Sequence, residues 1–113
     1  MTLSTHVLDT ARGRPGAGIP VILSAEGPGG WKELGRGTTD ADGRIAALLP
    51  ENAPAAPVGT MLRLRFELAA YFARAGTPAF YPHVEIVFAL QDGGHHHIPL
   101  LISPFGYSTY RGS

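Results

Sequence analysis

The sequence predicts an all-β domain, a two-sheet sandwich of about eight short strands with one short helix. Three observations carry that expectation. Fifteen glycines and ten prolines cut the chain into short apolar runs. Two of those runs, MLRLRFEL at 61–68 and HVEIVFAL at 83–90, alternate apolar and polar residues with the period of a half-buried strand. AAYFARAG, at 69–76, departs from the pattern, with the alanines, aromatics and closing glycine of one or two helical turns. At 113 residues there is room for a single domain spanning 1–113 with one core. A domain this small buries roughly 60–70% of its unfolded-chain surface, so association with further copies is a natural supplement.

Taken in order, STHVLD (4–9) reads as the first strand and ARGRPGAG (11–18) as a turn-rich connection. IPVILSAE (19–26) is the second strand, with Val21, Leu23 and Ala25 on one face. GPGG (27–30) breaks it, and WKELGRGTT (31–39) is the third. DADG (40–43) is a tight-turn signal, because Asp and Gly accept the positive φ such turns need. RIAALL (44–49) then opens a short strand at Arg44, and PENAPAAPVG (50–59) is too rich in proline for a ladder. In MLRLRFEL, Leu62, Leu64, Phe66 and Leu68 face inward, as do Val84, Ile86, Phe88 and Leu90 in HVEIVFAL. QDGG (91–94) reads as a hairpin turn into HHHIPLLI (95–102), where Pro99 argues for an edge, a bulge or a solvent-facing position. After Ser103-Pro104 the chain ends in FGYSTYRGS, strand-like and unusually rich in hydrogen-bonding groups for a terminus.

Composition excludes several classes of function. Nine basic and nine acidic residues give zero formal charge, which leaves no field to attract nucleic acid or an anionic membrane. With no cysteine there is no disulfide framework, thiol nucleophile or zinc–thiolate site. No apolar run is long enough to cross a bilayer, and the first residues lack the basic-then-apolar pattern of a leader, so the expected location is cytoplasmic. Phosphate-binding loops, nucleophile elbows and zinc-protease motifs have no counterpart here.

Three places hold residues suited to chemistry. His6 lies inside the first strand, opposite in facing to Thr5 and Val7. Arg44 follows the DADG turn, and His95, His96 and His97 form a triplet in which His95 and His97 share a face. A lone strand histidine is more often a surface or satisfied core residue than a catalyst, and an arginine after a turn is ordinarily solvated. His95 and His97 are spaced to share a zinc ion, but a third ligand is not evident, although the fold can recruit His6 or His83. Residue types and spacing by themselves stop at a small β-sandwich.

Together, however, LSTHVLD (3–9), TDADGRI (39–45), HHHIPLLISPFGYS (95–108) and the final YRGS (110–113) resemble the transthyretin-like proteins. Within that family they are similar to the branch that hydrolyses 5-hydroxyisourate in urate degradation, and the likeness spans nearly the whole chain. The resemblance implies a transthyretin-like sandwich of eight strands, assembled as a homotetramer, a dimer of dimers, with sites where dimers face each other. It implies catalytic roles for His6, Arg44, His97 and Ser113, and substrate-binding roles for Tyr110, Arg111 and Gly112. At the positions of His6, Arg44 and His97 the hormone-carrier branch has lysine, glutamate and threonine, and it lacks YRGS. His96 departs from the family pattern, which is more often aromatic there. The implied reaction opens the six-membered ring of 5-hydroxyisourate to 2-oxo-4-hydroxy-4-carboxy-5-ureidoimidazoline, with no metal and no cofactor. A neutral imidazole suits the activation of water, and either histidine fits that role. A planar guanidinium suits a carbonyl-rich ring. The alternative is a non-catalytic binder of a small aromatic ligand on the same fold.

Overall fold

The computed structural model describes residues 1–50, 52–53 and 56–113. Part of the proline-rich loop expected at 50–59 therefore lies outside the described residues. The elements are β1 (Thr2–Asp9), β2 (Arg14–Pro15), β3 (Pro20–Gly27), β4 (Gly30–Thr38), β5 (Arg44–Ile45), β6 (Met61–Glu67), α1 (Ala69–Arg74), β7 (His83–Ala89), β8 (His95–Ser103) and β9 (Gly106–Thr109). They form two sheets, one ordered β2-β1-β8-β9 with β5 also on β1, the other ordered β4-β3-β6-β7. The all-β sandwich with one short helix is as expected, and two two-residue strands bring the number described to nine. Among the described residues, no helix is long and apolar enough to cross a membrane.

The inward faces are those the alternation marks. Leu62, Leu64 and Phe66 of β6 are fully buried against Val21 and Leu23 of β3 and against Leu3, Val7, Leu100 and Ile102 of the other sheet. Each such side chain contributes about 1.5–3 kcal/mol on burial. Helix α1 places Tyr71 and Phe72 in the same core and is followed by Gly76 at φ +71°. Asp9, buried at the end of β1, accepts hydrogen bonds from the Ala11 and Arg12 amides and the Tyr71 hydroxyl. Burial, with Asp9 beside it, pushes the Tyr71 phenol above its usual range.

Four local expectations change. QDGG does not close a hairpin, because β7 and β8 lie in different sheets and these residues carry the chain across the sandwich. Pro99 is buried in an internal strand, neither at an edge nor facing solvent. The ladder between β8 and β9 runs from Ser103↔Gly106 to Leu100↔Thr109 and resumes in the same register at His97↔Gly112. Pro99 falls in that gap, where a residue without an N–H has no partner to give, and its carbonyl accepts from the Thr109 hydroxyl instead. RIAALL pairs only over Arg44–Ile45; beyond it the chain rolls inward, Leu48 is buried, and the Leu48 carbonyl lies where any side chain on Gly35 would stand. The connection after β1 contains a short strand, β2, that pairs Leu8 with Pro15.

Candidate active site

The parallel pairing of β1 with β8 builds the site. It sets Thr2 beside His95, Ser4 beside His97 and His6 beside Pro99. Side chains of paired residues point to the same face, so the outward row Thr2, Ser4, His6 lies against the outward row His95, His97. On the edge of β1 away from β8, β5 sets Arg44 opposite His6.

Arg44 is held in place by the turn before it. Asp40 Oδ1 accepts from the Asp42 and Arg44 amides, and the Asp40 amide donates to the Arg44 carbonyl. Gly43, at φ +77°, has no room for a side chain: a Cβ would stand 2.3 Å from the Val7 carbonyl oxygen. That close approach also lets the Val7 amide donate to the Gly43 carbonyl, locking the turn to β1. The His6 ring reaches the same turn, its Nε2 lying 3.0 Å from the Asp42 carbonyl. A carbonyl only accepts, so this nitrogen carries the proton and Nδ1 is the basic one.

Arg44, His97, His95, Ser4, Asp40 and Ser113 all line one cavity of about 390 Å³, a size within the roughly 300–1,000 Å³ usual for small-molecule sites. His97 is half-buried and doubly held. Its carbonyl accepts from the Gly112 amide at 2.8 Å, and its Nδ1 lies 2.7 Å from Ser4 Oγ. Burial first, then the charges of His95, His6 and Arg44, hold the His97 pKa below the usual imidazole range, against a weaker upward pull from Ser4. The result is an imidazole kept neutral near pH 7, in a cavity shared with Arg44, whose backbone the turn holds.

The YRGS tail continues the line of β9 past the Pro99 gap. Gly112 packs on His97 so closely that a Cβ would come 2.5 Å from its Cδ2. Ser113 enters the cavity. Tyr110 and Arg111 instead line a second, more apolar groove of about 420 Å³ with Ile86, Phe88 and His97, and Arg111 lies 3.8 Å from Asp92. His6 borders the Arg44 cavity without lining it.

His96 points the other way and is buried. Its ring stacks on Phe88, Nε2 accepts from the Gln91 amide, and Nδ1 faces the Gly94 carbonyl. It packs as an aromatic side chain does, its ring lying against that of Phe88. His83 lies in the other sheet beside Glu85, away from the triplet. Among the described residues, no three His, Asp or Glu side chains are grouped to hold a metal ion. Ser4 escaped the reading of the sequence. Alternation puts it on the face of His6, but its contact with His97 depends on a parallel pairing that no local pattern encodes.

The fold is that of a transthyretin-like domain. The HIUase/Transthyretin family model matches residues 3–112, and the chain belongs to that family. A 5-hydroxyisourate hydrolase of Salmonella typhimurium is 44% identical over 112 residues, which cover 98% of this chain and 80% of that one. The structure of Klebsiella pneumoniae 5-hydroxyisourate hydrolase superposes with a TM-score of 0.84 at 42% identity, over 99% of this chain and 98% of that one. Sea bream transthyretin in complex with thyroxine superposes with a TM-score of 0.86 at 30% identity, over 97% and 93%. Backbone similarity is nearly the same for the hydrolase and for transthyretin, while sequence identity is higher to the hydrolase, 42% against 30%.

Proposed function

We propose that this protein hydrolyses 5-hydroxyisourate in urate degradation. The observation that carries the reading is the gathering of a neutral, doubly held His97, a braced Arg44 and Ser113 around one small cavity. The relatives named 5-hydroxyisourate hydrolase support it, and so do the hydrolase-branch residues at 6, 44 and 97. In this reading His97 takes a proton from water as the water oxygen bonds to a ring carbonyl carbon. Arg44 stabilises the negative charge that develops on the carbonyl oxygen. The ring C–N bond then breaks and the departing nitrogen receives a proton from the histidine. Acid–base help of this kind supplies about 10²–10⁴-fold. His6 orients the Arg44 turn through Asp42 and adds a second basic nitrogen at the border of the cavity. Ser113 positions the water, and Tyr110, Arg111 and Gly112 shape the approach of the ring.

The assembly in this reading is a dimer of dimers. Arg44 and Ser113 are exposed in the single chain, and a second copy facing this sheet closes the cleft. Exposed Phe80, Phe105 and Tyr107, and exposed Val87 on the edge strand β7, offer apolar surface for the other contact. The cytoplasm is the compartment assigned, and a cysteine-free chain suits its reducing conditions. The test is to generate 5-hydroxyisourate freshly from urate and follow its ultraviolet decay with catalytic amounts of the protein. Acceleration far above the spontaneous rate is expected. An unchanged rate, with a small aromatic ligand raising the melting temperature, would mark a carrier instead.

A further inference from the structure

Ser4 stands between two histidines. Its Oγ lies 2.8 Å from His95 Nε2 and 2.7 Å from His97 Nδ1, and the remaining nitrogen of His95, Nδ1, meets the Thr2 hydroxyl. A hydroxyl has one proton to donate, so Ser4 donates to one histidine and accepts from the other. The tautomers of the two rings are therefore tied. In one arrangement His97 Nδ1–H donates to Ser4, Ser4 donates to His95 Nε2, and His97 Nε2 is bare. In the other every bond is reversed and His97 Nε2 carries the proton. His97 is half-buried, Ser4 is buried and His95, which lines the same cavity, is exposed, so the chain leads from a desolvated ring to a solvated one.

We propose that Ser4 and His95 form a proton relay behind His97, with Ser4 as the positioning residue and His95 as the outer holder of the proton. This rests on the reading of His97 as the base. When His97 Nε2 takes a proton from the attacking water, its Nδ1 proton passes to Ser4 Oγ. The proton of Ser4 passes to His95 Nε2, and His95 becomes the imidazolium, its Nδ1–H on Thr2. The reverse sequence returns the proton through His97 Nε2 to the departing ring nitrogen as the C–N bond breaks. One proton enters and one leaves, and neither ring has to turn.

The surroundings favour charge at the outer position. His97 is half-buried and faces Arg44 from β5, His6 from β1 and His95 on its own strand, with Asp40 from the turn across the cavity. His95 is more exposed than His97, so a positive charge there is better solvated than the same charge on the half-buried ring.

The experiment follows the ring nitrogens of histidine-labelled protein by ¹⁵N NMR across pH, in the parent and in Ser4→Ala. In the parent, His95 and His97 are expected to take up protons as one linked pair through Ser4. In Ser4→Ala they titrate independently, and the His97 tautomer is no longer tied to His95. Turnover gives the second readout: Ser4→Ala and His95→Gln each lower kcat about tenfold or more with KM little changed, and the double variant loses no more than either single one. An unchanged His97 titration in Ser4→Ala, or single losses that multiply in the double variant, would overturn the relay. The NMR readout does not depend on turnover, so failure of the proposed function (no acceleration of 5-hydroxyisourate decay) and failure of the Ser4 link between the two rings (unchanged His97 titration in Ser4→Ala) are read separately.

Discussion

Replacing Gly112 with alanine tests the idea that the tail is part of the site. Its φ is not in the left-handed region, so the substitution strains no backbone angle and acts through its single added carbon. That carbon would stand 2.5 Å from His97 Cδ2, 3.2 Å from Cγ and 3.3 Å from the His97 carbonyl oxygen. Carbon atoms rest at about 3.5 Å or more, so ring and tail must part by about 1 Å. The ring cannot swing freely, because Nδ1 is bonded to Ser4. Either that bond breaks and the base is displaced, or the tail lifts and withdraws Ser113 from the cavity. A displacement of about 1 Å at reacting groups costs about 10²-fold, equivalent to about 2.7 kcal/mol of transition-state stabilisation. The bridge to Gly112 is the last in the sheet, so the melting temperature should move by only a few degrees. The assay is kcat/KM from the decay of fresh 5-hydroxyisourate, paired with a thermal melt. Activity within about threefold of the parent, in a protein that melts normally, would refute the argument that Gly112 seats His97.

Gly43→Ala should cost both stability and rate. An alanine at φ +77° costs about 1–2 kcal/mol before its Cβ meets the Val7 carbonyl at 2.3 Å, and the bracing of Arg44 is lost with the turn. A chemical-denaturation midpoint equal to the parent's would contradict this. The lowered His97 pKa sets two signs of pH dependence. The acidic limb of kcat/KM should fall below the value of about 6.5 for free imidazole, because the neutral base persists to lower pH. Between the folded pKa and that value the unfolded chain binds more protons, so this residue's contribution to stability is present above about pH 6.5 and is lost as pH falls. Melts of the parent and His97→Gln across that range check the second sign, since the variant should show the shallower slope.

The core was legible because alternation carries its own geometry. Leu62, Leu64 and Phe66 are buried for the reason their spacing gives, and the DADG turn places Arg44 where a turn signal implies. What could not be read locally was which strands meet. QDGG has the chemistry of a hairpin turn, yet the long-range packing of β8 between β1 and β9 overrides it. The parallel register that sets Ser4 against His97 spans more than ninety residues and leaves no trace in any short window. Pro99 misled for a related reason. Its missing N–H matters only on the side where the partner strand has a gap, and that gap is made by the tail. The resemblance to a family supplied the grouping of His6, Arg44, His97 and the tail that residue types alone did not.

The most direct test of the central claim compares the decay of freshly made 5-hydroxyisourate with the parent protein and with His97→Ala of unchanged circular dichroism. The account predicts strong acceleration by the parent and a loss of about 10²-fold or more in the variant. Equal rates for the two folded proteins would show that the cavity beside Arg44 is not where the reaction occurs.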